Sequence, residues 1–296
     1  MFFWELRRIK MSNYGATLSR IRKNKNLSLV DASAGIVSDS FLGKFEKGKT
    51  EMSFSKLVRI IQHLNVSLEE FLYLDNKQED DFTILLGVAG DAYVAEDIIK
   101  LHELANEQLQ QYHATKLKSY RCNSIMVEGL LADLTDTEID EEARIFLSEY
   151  LIGIDNWTAY ELTLFSNASH LLTDAMLTSM SAKILEKTEE LIGLAKNKRI
   201  FLETLLNLTR IFIEKDNKKH AQFLLNVITS IKKDETLYFI RTNLLFLTGL
   251  FHLRFADKAL GMQQCDDAVK VMQILDDPNL AAQKQKYLKG FLKKCI

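Results

Sequence analysis

"SDSFLGKFEKG", residues 38–48, decides how this chain is read. Ser38 is a good N-cap residue, because its side-chain oxygen can accept from the first turn's orphan amides. Phe41 and Leu42 form an apolar pair, and Lys44-Phe45-Glu46-Lys47-Gly48 ends the stretch on basic residues and a glycine. That order predicts one short, exposed, basic helix closed at Gly48.

The surrounding residues, 11–74, divide into five short helical segments. Leu18, Ile21 and Leu27 supply the first apolar face. Ser28 caps a brief second helix through Ala34, which Gly35 closes. Leu57, Ile60, Ile61 and Leu64 repeat at helical spacing between Ser55 and Leu64. Ser67, with Glu70 three residues on, makes a capping box for the fifth. Two short helices joined by a tight turn, inside a basic five-helix domain of about 60 residues, predict a helix-turn-helix that reads double-stranded DNA.

The composition agrees. Apolar residues make up 47% of the 296, with one proline, Pro278, and 12 glycines, so helix breakers are scarce. The fold class expected is all-α. Net charge is −2, but residues 1–74 hold 12 Lys and Arg against 7 Asp and Glu, while the remainder holds 26 against 33. A basic head on an acidic body points to a polyanion met by the head alone. A lysine-rich helix is usually only a solvated face; here the caps, glycines and five-helix rhythm favour DNA.

Cys122, Cys265 and Cys295 are far apart and lack C-x-x-C spacing, so they read as reduced thiols in a cytoplasmic protein. "TLYFIRTNLLFLTGLFHLRFA", 236–256, is interrupted by Arg241 and reads as a buried helix, so no membrane partner is expected. "MFFWELRRIKM", 1–11, has its charges after its apolar residues and no small-residue cleavage site. Arg7-Arg8 can be encoded by a purine-rich ribosome-binding sequence, so translation is expected to start at Met11. Residues 1–10 are then a non-native or disordered extension.

The pattern S-x-S-x-L-x-K-F-E-K-G over 38–48 resembles the recognition helix and following turn of phage-repressor helix-turn-helix domains. On that resemblance Ser38, Asp39 and Ser40 face the groove, with Lys44 one turn on. Lysine can donate to guanine, and serine reads several base edges weakly. Arg20, Lys23, Lys25, Lys47, Lys49 and Lys56 are expected on phosphates, which position without specifying. Arg22 and Glu46 match the motif's structural ion pair. Gly43 departs from the motif, which usually has a small polar residue there.

Residues 75–81, "DNKQEDD", read as a polar acidic linker, and 82–296 as the body. Helices are expected near 95–113, 116–134, 138–152, 157–171, 173–193, 197–214, 217–232, 235–254, 257–275 and 279–294. Comparable helices begin about 40 residues apart, the rhythm of an α-solenoid, although strict tetratricopeptide consensus residues are missing. Stretches 200–213 and 237–251 are apolar nearly all round and must be covered on every side. Each still carries an asparagine and an arginine: Asn207 with Arg210, and Asn243 with Arg241. With Asn167 these are candidates for a ligand groove, since an asparagine can hold a peptide backbone by both donor and acceptor. The plainer reading is that each satisfies a nearby carbonyl or loop.

"NWTAYELTLFSN" and "FLTGLFHLRFADKALGMQQCDDAVKVMQIL", behind a repressor-type head, resemble the Rgg (also MutR or GadR) family of Gram-positive regulators. Trp157, Tyr160, Glu161, Leu162, Leu164, Phe165 and Asn167 carry the likeness in the body. The resemblance implies a homodimeric transcription regulator with a tetratricopeptide-like solenoid. Many members bind a short signalling peptide in its groove, as in quorum sensing, and others have no known peptide. The alternative is a regulator whose body only dimerises or binds a protein partner. Some relatives have a regulatory cysteine in or near the head, where this chain has none.

Enzyme signatures are absent: no Gly-rich phosphate loop, no H-E-x-x-H, no nucleophile elbow. The six histidines share no ligand spacing. No catalytic residue, metal or cofactor is expected.

Overall fold

The computed structural model describes residues 13–76, 80–187, 193–231 and 237–294, and among them are helices and turns but no strand. Met11, the extension before it and Cys295 lie outside the described residues. The chain divides into two compact units, Met1–Ile84 and Leu85–Ile296.

The first unit contains α1 (Tyr14–Asn24), α2 (Leu29–Ser33), α3 (Asp39–Glu46), α4 (Phe54–His63) and α5 (Leu68–Asn76). Side chains open four of them. Asn13 accepts from Ala16 N at 3.0 Å, and Ser38 from Phe41 N at 3.2 Å. Ser28–Asp31 and Ser67–Glu70 form reciprocal capping boxes. Between α2 and α3 the chain turns through Ala34 and Gly35 at φ 43° and 72°; after α3 it turns at Gly48, φ 66°. Left-handed backbone suits glycine at both turns. The apolar faces meet in one core. Leu42 and Phe45 of α3 pack among Leu18, Ile21, Ile60 and Phe71.

Asp81–Val94 forms α6, a helix the sequence reading does not anticipate. Gly87 and Gly90 blur its periodicity, although Leu85, Ala89 and Ala92 are buried. It starts after Asp80, whose carboxylate accepts from Thr83 N at 2.9 Å, and residues 77–79 of the stretch read as a linker lie outside the described residues. Beyond α6 the second unit contains α7 (Ile98–Thr115), α8 (Lys118–Thr135), α9 (Glu141–Gly153), α10 (Ala159–Ala168), a 3-10 turn at Ser169–Leu171, α11 (Asp174–Lys187), α12 (Ala195–Glu214), α13 (Lys218–Ser230), α14 (Tyr238–Phe255), α15 (Lys258–Ile274) and α16 (Pro278–Lys294).

Helix pairs α7/α8, α12/α13 and α14/α15 pack against each other, and α10, α12 and α14 stack in a row. Glu96, Asp216 and Asp276 turn left-handed, and the next residue of each caps the following helix. Rungs join successive layers at a nearly constant offset. Lys215 pairs with Asp174, 41 residues away, and Arg254 with Asp216, 38 away. That offset is the solenoid repeat the sequence shows only loosely.

The α14/α15 pair is drawn together by glycines. A Cβ on Gly249 would lie 2.6 Å from Cys265 Sγ, and one on Gly261 would lie 2.7 Å from Gly249 O. Burial pushes the Cys265 and Cys122 thiols up to about 12, so both sit as neutral thiols. Residues that carry the family likeness are largely structural. Trp157 donates to Leu151 O at 3.1 Å, and Tyr160 donates to Ser119 O and Asn123 Oδ1, each at 3.0 Å. Glu161 closes the capping box on Thr158.

Candidate functional site

In the head, α3 presents Ser38, Asp39, Ser40 and Lys44, all exposed, while Leu42 and Phe45 bury the opposite face. Ser38 spends its acceptor on the cap and keeps a hydroxyl proton to donate. Asp39 Oδ1 accepts from Ser40 N at 2.8 Å. Its carboxylate can only accept, which fits the amino group of cytosine. Gly43 looks towards α2: a Cβ there would lie 3.2 Å from Leu29 Cδ1. Its place in the motif is thus a close interhelix contact, where a Cβ would require the Leu29 side chain to shift by a few tenths of an ångström.

Of the residues expected on phosphates, Lys23, Lys25, Lys47, Lys49 and Lys56 are exposed. Lys56 Nζ rests 5.8 Å from the centre of the Phe41 ring, a cation–π contact that ties the start of α4 to α3. Arg20 has another tie: it donates to Leu74 O at 2.5 Å and so closes the last turn of α5.

Arg22 and Glu46 are joined by a bidentate pair, Nε to Oε1 and a terminal nitrogen to Oε2, both at 2.7 Å. Their side chains are 11% and 5% exposed. Arg22 also donates to Leu27 O at 2.7 Å, and Ser19 Oγ donates to Glu46 at 2.8 Å. Burial pushes the Glu46 carboxyl up, but the hydrogen bonds from Arg22 and Ser19 outweigh it and hold the group below the usual carboxylate range. Ser19 and Gly15 are missed by the sequence reading. Gly15 admits no side chain, because a Cβ there would lie 2.0 Å from Phe45 O.

In the body, Asn207, Arg210 and Asn243 do line one cavity, of about 350 Å³, between α12, α14 and α16. Its apolar walls are Leu206, Phe239 and Leu247. The polar groups are largely engaged. Asn207 donates to Ser166 O at 2.7 Å and accepts from Arg210 at 2.9 Å. Arg210 reaches both oxygens of Glu214, at 2.8 and 2.9 Å, and Tyr287 donates to the same carboxylate. Asn243 returns its amide to Phe239 O at 2.9 Å. Lys284, from α16, also faces the cavity, and nothing in its polar, lysine-rich surroundings marks it out in the sequence.

Two expected groove residues stand elsewhere. Asn167 is exposed and donates to Thr163 O of its own helix at 2.9 Å. Arg241 lines a separate, open hollow with Ile231 and Thr248, near the Tyr238 ring.

Residues 18–71 match the helix-turn-helix family and residues 102–286 match the family described as HTH-type transcriptional regulator Rgg, C-terminal domain. Among solved structures, the chain resembles the SHP pheromone receptor Rgg2 of Streptococcus dysgalactiae, at 22% identity over 95% of this chain and 99% of that one, TM-score 0.80. A putative transcriptional regulator from Listeria monocytogenes EGD-e matches at 20% identity, 96% and 98% coverage and TM-score 0.82. The PrgX/cCF10 complex matches at 17% identity, 96% and 94% coverage and TM-score 0.73. No helix among the described residues is long and apolar enough to cross a membrane. With a helix-turn-helix head and a body matched over most of its length, the chain belongs to the Rgg family of helix-turn-helix transcriptional regulators.

Proposed function

We propose that this protein is a cytoplasmic, homodimeric regulator of transcription in a Gram-positive bacterium. It binds a two-fold-symmetric operator through α3 and changes state when a short signalling peptide enters the cavity between α12, α14 and α16. One observation carries the reading: that cavity joins apolar walls, for side chains, with asparagine and basic groups, for a peptide backbone and its charges. Its solved neighbours include the SHP pheromone receptor Rgg2 and a bacterial peptide pheromone/receptor complex, which supports the same ligand class here. A dimer would set two recognition helices one DNA turn or a multiple apart.

The test uses the full chain and the DNA upstream of its own gene and neighbouring genes. Short reading frames beside the gene supply synthetic peptides. A peptide that alters operator binding at low micromolar concentration or below would support the reading. Unaltered operator binding with every such peptide would instead favour a body that only dimerises or binds a protein.

A further inference from the structure

The charges around the cavity do not balance. Arg210 is matched by Glu214 and Asn207, and Glu203, at the cavity rim, is paired with Arg199 at 2.8 Å. Lys284 is left over: no carboxylate pairs with it among the described residues. Its ammonium lies 5.4 Å from the centre of the Phe246 ring, whose electron-rich face offers partial compensation. Burial pushes the ammonium's pKa down, and the neighbouring Arg210 adds to that. A partly buried cation of this kind has lost hydration without gaining a counter-charge, which is costly unless something anionic arrives.

We infer that Lys284 is the anchor for a carboxylate of the bound peptide, its C-terminus or an acidic side chain, so that the receptor selects peptides carrying a negative charge. The inference rests on the peptide-receptor reading above. The geometry gives the reason for the choice of group. Leu206, Phe239 and Leu247 can take apolar side chains, and of the cavity's two cations Arg210 is paired with Glu214 while Lys284 has no carboxylate partner among the described residues. A carboxylate beside it forms a charge-assisted hydrogen bond with an ammonium that burial has already stripped of part of its hydration. Lys284 and Tyr287, three residues apart, share one side of α16, and Tyr287 is held by Glu214. The helix that carries the anchor is therefore fixed to α12 before the ligand binds.

The experiment offers full-length protein three pools of synthetic octapeptides randomised over Leu, Ile, Val, Phe, Thr and Gly. One pool ends in a free carboxylate; a second is amidated and carries one Asp; the third is amidated and has Asn in its place. Peptides retained through desalting are quantified by mass spectrometry. The expected result is at least tenfold greater retention of one carboxylate pool than of the carboxyl-free pool, and the better one identifies the source of the carboxylate. Lys284→Gln should abolish that preference and Lys284→Arg should keep it. Equal retention of all three pools by the unaltered protein overturns the inference while leaving a peptide receptor in place; this comparison needs no variant to fold. A preference that survives in Lys284→Gln overturns it too. Retention of no pool at all removes the peptide reading itself, and this inference with it.

Discussion

Gly15 lies so close to the recognition helix that a Cβ on it would stand 2.0 Å from the carbonyl oxygen of Phe45. The obstacle is backbone, which cannot rotate away, so α1 and α3 would have to separate. Gly15→Ala should therefore destabilise the head by about 1–3 kcal/mol, the range for overpacking in a close-packed interior. Hydrogen exchange on the full chain is the measurement. Protection should fall across α1 to α5 and stay unchanged beyond 95; unchanged protection in the head would refute the close approach.

The Arg22–Glu46 pair makes a pH-dependent contribution. Glu46 is held below its ordinary pKa, so its stabilisation is fully present above the unfolded value, near 4.5, and is lost as pH falls through the lower folded value. Glu46→Gln leaves the guanidinium of Arg22 without its counter-charge, and breaking a buried pair from one side costs about 3–5 kcal/mol. Thermal melting of the head should drop sharply at pH 7, and the gap from the unaltered protein should narrow towards pH 3. Operator choice among the molecules still folded should not change. A variant with unaltered melting and a new operator preference would contradict this assignment.

The head is legible because its signals are local. Caps, left-handed glycines and apolar spacing lie within a few residues of each other, and all of these recur in the structure. The cavity is legible only in part. Asn207 and Arg210 are three apart and share a helix face. Arg241 is two residues before Asn243, which turns it about 200° around the helix and away from the cavity. Asn167 misses by one position, since Asn207 reaches Ser166 instead. Lys284 could not be found from sequence, because its role arises only when α16 folds back onto α12 and α14. Gly87 and Gly90 concealed α6 for a different reason: a Cβ at either would meet nothing within 4 Å, so neither marks a contact.

On DNA, Lys44→Ala should weaken operator binding by about 1–3 kcal/mol if the lysine reads a base edge, with little loss on random sequence. Lys49→Ala should weaken both alike and reduce the salt dependence by about one counterion. Fluorescence anisotropy with both DNAs across a salt series separates the two. Equal losses on the two DNAs for Lys44→Ala would move it to the phosphates.

The Gly249–Cys265 contact allows a chemical test. Cys265 is fully buried and its thiol is raised to about 12, so thiolate is scarce and access is closed. In the native protein Cys265 and Cys122 should resist a disulfide reagent at pH 8 until the body unfolds. Gly249→Ala should wedge α14 from α15, lower the melting temperature and speed labelling of Cys265 well before that of Cys122. Equal acceleration at both would mean global unfolding rather than a local wedge.

The two cavity asparagines should behave differently. Asn207 bridges layers: its amide holds Ser166 O beside the end of α10, and its oxygen accepts from Arg210, which in turn holds Glu214. Asn207→Ala removes two part-buried hydrogen bonds, to Ser166 O and from Arg210, at about 1–3 kcal/mol together, and leaves Arg210 held by Glu214 alone. Both body stability and peptide retention should fall. Asn243 donates only to Phe239 O, a carbonyl within its own helix, so its removal breaks no bond between layers. Asn243→Ala should melt within about 1.5 kcal/mol of the unaltered protein, the upper end for a single such hydrogen bond. Any loss of peptide affinity it shows is then a direct effect on the ligand. Melting curves and fluorescence polarisation with a retained octapeptide decide the matter. If Asn207→Ala melts like the unaltered protein, the bridge carries no stability; if Asn243→Ala binds the peptide undiminished, that asparagine does not touch it.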